Sequence, residues 1–222
     1  MAENRWTSEL HWRRAGQQTR SERTQAALMD AAEELLMEKG AEATSIADIA
    51  RRAGFSVGSV YHHFRDKRAL LLALFNRMTE SYAALTRQAS DPAMWEGARI
   101  RDLFRGYLEV TLSLSRDHGA AKAAVSAAVA DQPELAVHYA EIQGETRRAL
   151  LGLVLARRDE IGHAAPEAAA GFAIDQLAAM LRARLDPVQK VSALRDMDDA
   201  AFVDEALQMV SDYLRLAPAG AG

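Results

Sequence analysis

Residues 44–68 read TSIADIARRAGFSVGSVYHHFRDKR, and the reading of this stretch decides the fold. Thr44 or Ser45 can cap a helix, with Asp48 three or four residues on to sit against its open amides and positive dipole. Ile46, Ile49, Ala50 and Ala53 supply its buried stripe, and Gly54 ends it. Phe55 plugs the turn. Ser56 then caps a further helix through Phe64, on which Val60 and Phe64 lie four apart and share an inward face. Two short helices across a Gly-containing turn form a helix-turn-helix, a motif whose second helix enters the DNA major groove.

The second helix has the chemistry for that position. Ser56, Val57, Gly58 and Ser59 are short, which lets backbone approach the groove floor; Val57 offers an apolar contact suited to a thymine methyl, and Ser59 a hydroxyl for a base or phosphate. Tyr61 and His62 project sideways, at the height of the phosphates. Asp66 can cap the next helix, so that nearby amides and the Lys67 ammonium make an anion site. His62 and His63 are adjacent and point about 100° apart on a helix, a poor pair for one metal ion, and no metal site is expected.

Charge points the same way. The chain carries a formal net charge of -4, yet residues 51–68 hold five Lys/Arg and one Asp/Glu. A local basic face on an acidic chain suits a phosphate backbone, which feels the near surface more than the screened far side.

Working outward, Ala27, Leu28, Ala31, Ala32, Leu35 and Leu36 make an amphipathic helix over 21–39, closed by Lys39 and Gly40. Residues 1–20 read as an arm whose Trp6, Trp12, Arg13 and Arg14 could serve DNA, or as a tail packed on its neighbour. Downstream, Leu70, Leu71, Leu74, Phe75, Met78, Tyr82 and Leu85 carry a long helix to Ser90, where Asp91-Pro92 breaks it.

At this point the residues resemble a known family. Thr44-Ser45-Ile46, Asp48-Ile49-Ala50, Ala53-Gly54-Phe55-Ser56, Gly58, Val60-Tyr61, His63-Phe64, Lys67 and Leu70, with Ala31-Ala32, Leu35-Leu36 and Lys39-Gly40 upstream, look like the DNA-binding segment of TetR-type transcriptional regulators. The match spans roughly residues 21–75. The resemblance implies that Thr44 or Ser45, Tyr61, His62 and Lys67 meet phosphates while Ser56, Val57, Gly58 and Ser59 face bases. Val57 departs from the Lys or other polar residue often found at its position, and Ala41 stands where an aromatic is common.

The remaining chain patterns as five helices, at 95–117, 120–130, 133–160, 166–185 and 200–216, an antiparallel bundle. The expected architecture is all-α, with an arm at 1–20, a DNA-binding domain at 21–66 and an effector-binding and dimerisation domain at 67–222. Tyr107, Thr111, His138 and Gln176 interrupt apolar faces and are candidate pocket residues; each also reads as a hydrogen-bonded core or surface residue. The family resemblance implies a small-molecule pocket in this region and dimerisation through the last two helices. Ala168, Phe172, Ala178, Ala179, Leu181 and Leu185, with Phe202, Val203, Ala206, Leu207, Val210, Tyr213 and Leu214, supply apolar surface for that interface, or else close the monomer core.

Composition bounds the alternatives. Of 222 residues (24.3 kDa), 49% are hydrophobic, with 13 Gly, 5 Pro and no Cys, which favours helices and excludes disulfides and thiolate chemistry. The N-terminus lacks a signal-peptide core and no run approaches 18 apolar residues, so a cytoplasmic location is expected. The expected function is a homodimeric transcriptional regulator bound to a palindromic DNA operator, a repressor relieved by a small-molecule effector, with no cofactor and no membrane partner. The competing reading is a helical-bundle ligand carrier or enzyme without DNA binding. Against it, the chain holds no HExxH pair, no Gly-rich phosphate loop and no repeated Glu-x-x-His.

Overall fold

The computed structural model describes residues 20–128, 133–185 and 193–217, so the arm expected at 1–20 lies outside the described residues except for Arg20, which begins the first helix. All regular structure among them is helical. The order is α1 (Arg20–Ala43), α2 (Ile46–Ala53), α3 (Val57–His63), α4 (Lys67–Ala89), α5 (Ile100–Ala128), α6 (Pro133–Leu155), α7 (Pro166–Leu185), α8 (Ala193–Asp196) and α9 (Asp199–Leu214).

The helix boundaries follow their local chemistry. Gly40, with φ 77° and ψ 175°, breaks α1 before its final turn; only glycine adopts that backbone region readily. Ser45 caps α2 and Ser56 caps α3. Asp198 caps α9 by accepting the Ala201 amide at 2.8 Å. Two boundaries differ from expectation: the helix expected over 133–160 ends at Leu155, with a 3-10 turn at Arg158–Glu160 after it, and a second difference lies in α5. The segments at 120–130 and 95–117 are not separate helices, because α5 runs through Gly119 without interruption. A single glycine costs a helix about 1 kcal/mol relative to alanine, and the Ala-rich sequence after it offsets that cost. The start of the expected segment is instead a 3-10 turn over Pro92–Trp95, anchored by the Trp95 indole donating to the Ala89 carbonyl at 2.7 Å.

The chain divides into two compact units. Among the described residues, one comprises 20–85 together with 116–128 and 133–142. Its core joins Leu28, Leu35 and Leu36 of α1, Ile49 of α2, Val60 of α3, and Leu70 and Leu74 of α4 to Ala121 and Val125 of α5. Around that core Glu33 of α1 receives two ties: Arg77 of α4 at 2.9 Å and the His118 ring of α5 at 2.6 Å. The other unit comprises Thr86–Ser115 and the chain from Gln143 on. Ile100, Phe104 and Leu108 of α5 are packed there with Val154 of α6, Leu177 of α7, and Phe202 and Leu207 of α9.

Candidate nucleic-acid interface

The site is built from two helix starts and the turn between them. Ser45 and Asp48 cap α2 reciprocally: Ser45 Oγ accepts the Asp48 amide at 3.1 Å, while the Asp48 carboxylate accepts from the Ser45 amide at 3.3 Å and the Ser45 hydroxyl at 2.8 Å. The same carboxylate receives the Lys39 ammonium at 2.9 Å and the Arg51 guanidinium. Lys39, then Ser45 and Arg51, hold its pKa far below the usual aspartate range. α2 is thereby fixed to the end of α1. Gly54 closes α2 in the left-handed region, φ 74° and ψ 27°, and the Phe55 amide donates to the Ala50 carbonyl at 2.9 Å. This turn sets the direction of α3.

Ser56 Oγ accepts the Ser59 amide at 3.1 Å and lies 3.0 Å from Ser59 Oγ, so the two hydroxyls are bonded to each other. Val60 and Phe64 are buried beneath α3. Val57, 41% exposed, and Tyr61, 54% exposed, lie one turn apart on the same helix. Gly58 and His62 are also exposed. His63 is half-buried, its ring edge-on to His62 at 5.2 Å between centroids. Of the candidates on α3, Val57, Gly58, Tyr61 and His62 are exposed and Ser59 is half-buried.

Thr44 departs from its expected place at the phosphates. It is 1% exposed, and its hydroxyl donates to the Gly40 carbonyl at 2.7 Å and the Leu35 carbonyl at 3.3 Å, closing the end of α1. Of the two adjacent hydroxyls, Ser45 is the exposed one and the cap. Lys67 is half-buried and its ammonium donates to the Ala41 carbonyl. Asp66 accepts the Ala69 amide at 2.7 Å, so the amide end of α4 is occupied by this chain's own carboxylate. That amide, then Arg65, lower the Asp66 pKa.

Sequence reasoning missed one charge clasp beneath the interface. Arg52 of α2 reaches back to α1, donating to Glu34 at 3.0 Å and to Glu38 at 2.8 and 2.7 Å. The partners are 14 and 18 residues away, beyond the reach of any local spacing rule, and only the acidic face of α1 hinted at them.

The candidate pocket residues lie elsewhere. Tyr107 and Thr111 occupy adjacent turns of α5, where the Thr111 hydroxyl donates to the Tyr107 carbonyl at 2.7 Å. Tyr107 packs partly buried against the core of its unit, and Gln176 is half-buried on α7. The His138 side chain lies outside the described residues. Among the described residues, no helix is long and apolar enough to cross a membrane.

Comparison with known proteins points to one group. Residues 28–74 fit the family model described as bacterial regulatory proteins, tetR family. Over 173 residues the chain is 36% identical to the HTH-type transcriptional regulator BetI of Escherichia coli K12, covering 75% of this chain and 86% of that one. A shorter stretch of 67 residues, 30% of this chain and 32% of the relative, is 36% identical to the HTH-type transcriptional regulator TtgR of Pseudomonas putida. The fold is also similar to that of SmeT, the repressor of the Stenotrophomonas maltophilia multidrug efflux pump SmeDEF, with a TM-score of 0.58 at 21% identity over 90% of this chain and 93% of that one. A tetR-family regulatory protein from Rhodococcus RHA1 superposes with the same TM-score at 23% identity, over 87% and 98% of the two chains.

Proposed function

As this chain belongs to the tetR family of bacterial regulatory proteins, and is thus a transcriptional regulator rather than an enzyme, we propose that it is a homodimeric repressor whose hold on a palindromic operator is relieved by a small molecule. The observation that carries the DNA reading is the division of labour on α3, with Val60 and Phe64 buried and Val57 and Tyr61 exposed. Exposed side chains of that kind, with no hydrogen-bond partner among the described residues, fit a major groove. Ser56, Val57, Gly58 and Ser59 then face bases, and Ser45, Tyr61, His62 and Lys67 face phosphates. Residues 21–66 act as the DNA-binding domain in the cytoplasm, where the chromosome is, and 67–222 as the effector-binding and dimerisation domain.

Dimerisation is supported by the outer side of α7 and α9. Phe172, 50% exposed, lies 5.2 Å between ring centroids from Tyr213, 38% exposed, and the His163 ring flanks Tyr213 at the same separation. Exposed aromatics clustered on two adjacent helices suit a self-complementary four-helix contact across a two-fold axis. Two copies would place their α3 helices about 34 Å apart, or further apart on a longer operator. An effector seated near Tyr107, Thr111 and Gln176 would release DNA by binding more tightly to a dimer whose α3 spacing no longer fits.

The test is selection of duplexes from a random-sequence pool, followed by a mobility-shift titration at moderate salt against unspecific competitor DNA. An enriched inverted repeat that shifts in the presence of competitor is the expected result. Absence of any enriched sequence would overturn the proposal.

A further inference from the structure

Resting on the placement of α3 in a major groove, we propose that this helix reads pyrimidines by their 5-methyl group, with Val57 as the contact residue and Gly58 as the clearance that lets it approach. Three observations converge on this. The first is what α3 lacks. Positions 56–59 hold no Arg, Lys, Asn or Gln, the side chains able to make bidentate hydrogen bonds to guanine or adenine. The two hydroxyls present are bonded to each other, and Ser56 is further engaged as the cap of α3. Between them a single O–H remains to donate, and it can rotate, so it discriminates weakly.

The second observation is Val57 itself. It is 41% exposed, while Val60 on the same helix is fully buried. A β-branched residue on an exposed helix face serves neither the core nor helix propensity. Its two methyl groups do suit the one apolar feature of the major-groove edge, the C5 methyl of thymine. The third is Gly58. Its backbone is helical, and an added Cβ would meet nothing closer than Ser56 Oγ at 3.7 Å, an ordinary contact. The fold therefore has room for alanine, which stabilises a helix relative to glycine. Glycine here leaves space beside Val57 for something outside the chain.

Methyl readout makes a chemical prediction that hydrogen-bond readout does not. 5-Methylcytosine carries its methyl at the same place in the groove as thymine, whereas uracil and cytosine carry none. The duplex enriched from the random pool is resynthesised with each half-site thymine replaced in turn by uracil, by cytosine or by 5-methylcytosine, and affinities are measured for the full-length protein and for Val57→Ala. At the contacted position uracil should weaken binding about fourfold, the worth of one buried methyl, and 5-methylcytosine should bind better than cytosine by a similar factor. Val57→Ala should abolish both differences, which separates a contact from an effect on DNA shape. Gly58→Ala should melt no lower than the parent and bind the selected duplex more weakly.

Uracil equal to thymine at every position, or a methyl dependence that survives Val57→Ala, would overturn the methyl proposal and leave the repressor function standing. A pool that yields no enriched sequence would overturn that function and this proposal with it.

Discussion

The Lys67 ammonium, at the start of α4, donates to the main-chain carbonyl of Ala41 in the last turn of α1. One cation thus ties the long helix to the end of the first, and its two remaining protons are available to a phosphate. Lys67→Ala should act twice. Removing the Ala41 partner should cost about 1 kcal/mol of stability, read by denaturant unfolding. DNA affinity should fall alike for all sequences, with the salt slope lower by about one unit. A stability loss with an unchanged slope would assign Lys67 to the fold alone.

Thr44 gives the contrasting case. With its hydroxyl bonded to the Gly40 and Leu35 carbonyls and its side chain buried, Thr44→Val should destabilise the protein by about 1–3 kcal/mol through the unsatisfied carbonyls. The salt dependence of DNA binding should stay that of the parent, which a titration at several salt concentrations checks.

Asp48 makes the capping of α2 pH-dependent. Lys39, Ser45 and Arg51 lower its pKa in the folded chain, so the unfolded state binds the proton more readily. Stability from this group is fully present above the unfolded aspartate pKa of about 3.9 and is lost as pH falls toward the folded value. Asp48→Asn removes that dependence. The stability gap between parent and variant should be constant from pH 7 to about 5 and shrink on further acidification, measured by denaturant unfolding at each pH.

The outer face of α7 and α9 predicts a change of assembly. Phe172→Asp places a charge beside Tyr213, where it would be desolvated in a dimer and hydrated in a monomer. The dimer dissociation constant should rise by about a hundredfold or more, seen by sedimentation equilibrium, with helical content retained because Phe172 is half-exposed and not core.

What could be read from the sequence was what local rules govern. The Gly54 turn and the Ser56 cap are decided by residues a few positions apart, and both were legible, as was the buried pair Val60 and Phe64. Thr44 was not, because two adjacent hydroxyls differ only in which way the backbone turns them. The Arg52 clasp and the Glu33 ties to Arg77 and His118 were hidden by sequence distance. Gly119 misled because a single glycine signals a stop, whereas here its small cost is outweighed by good helix formers. Phe172 fitted an apolar stripe by spacing, but Ala169, Ala170 and Ala173 take the inward positions and leave it outside.

The clasp on Arg52 reaches beyond stability. Glu34 and Glu38 neutralise that guanidinium, Asp48 pairs with Arg51, Asp66 with Arg65, and a carbonyl engages Lys67. The guanidinium groups of Arg51, Arg52 and Arg65 thus each meet a carboxylate before any polyanion arrives, while Lys67 keeps its charge for one. Such a head should elute early from heparin and dwell only briefly on arbitrary chromosomal sequence. Its search would proceed by short visits rather than long slides, and retention at the operator would depend on shape and close fit more than on charge.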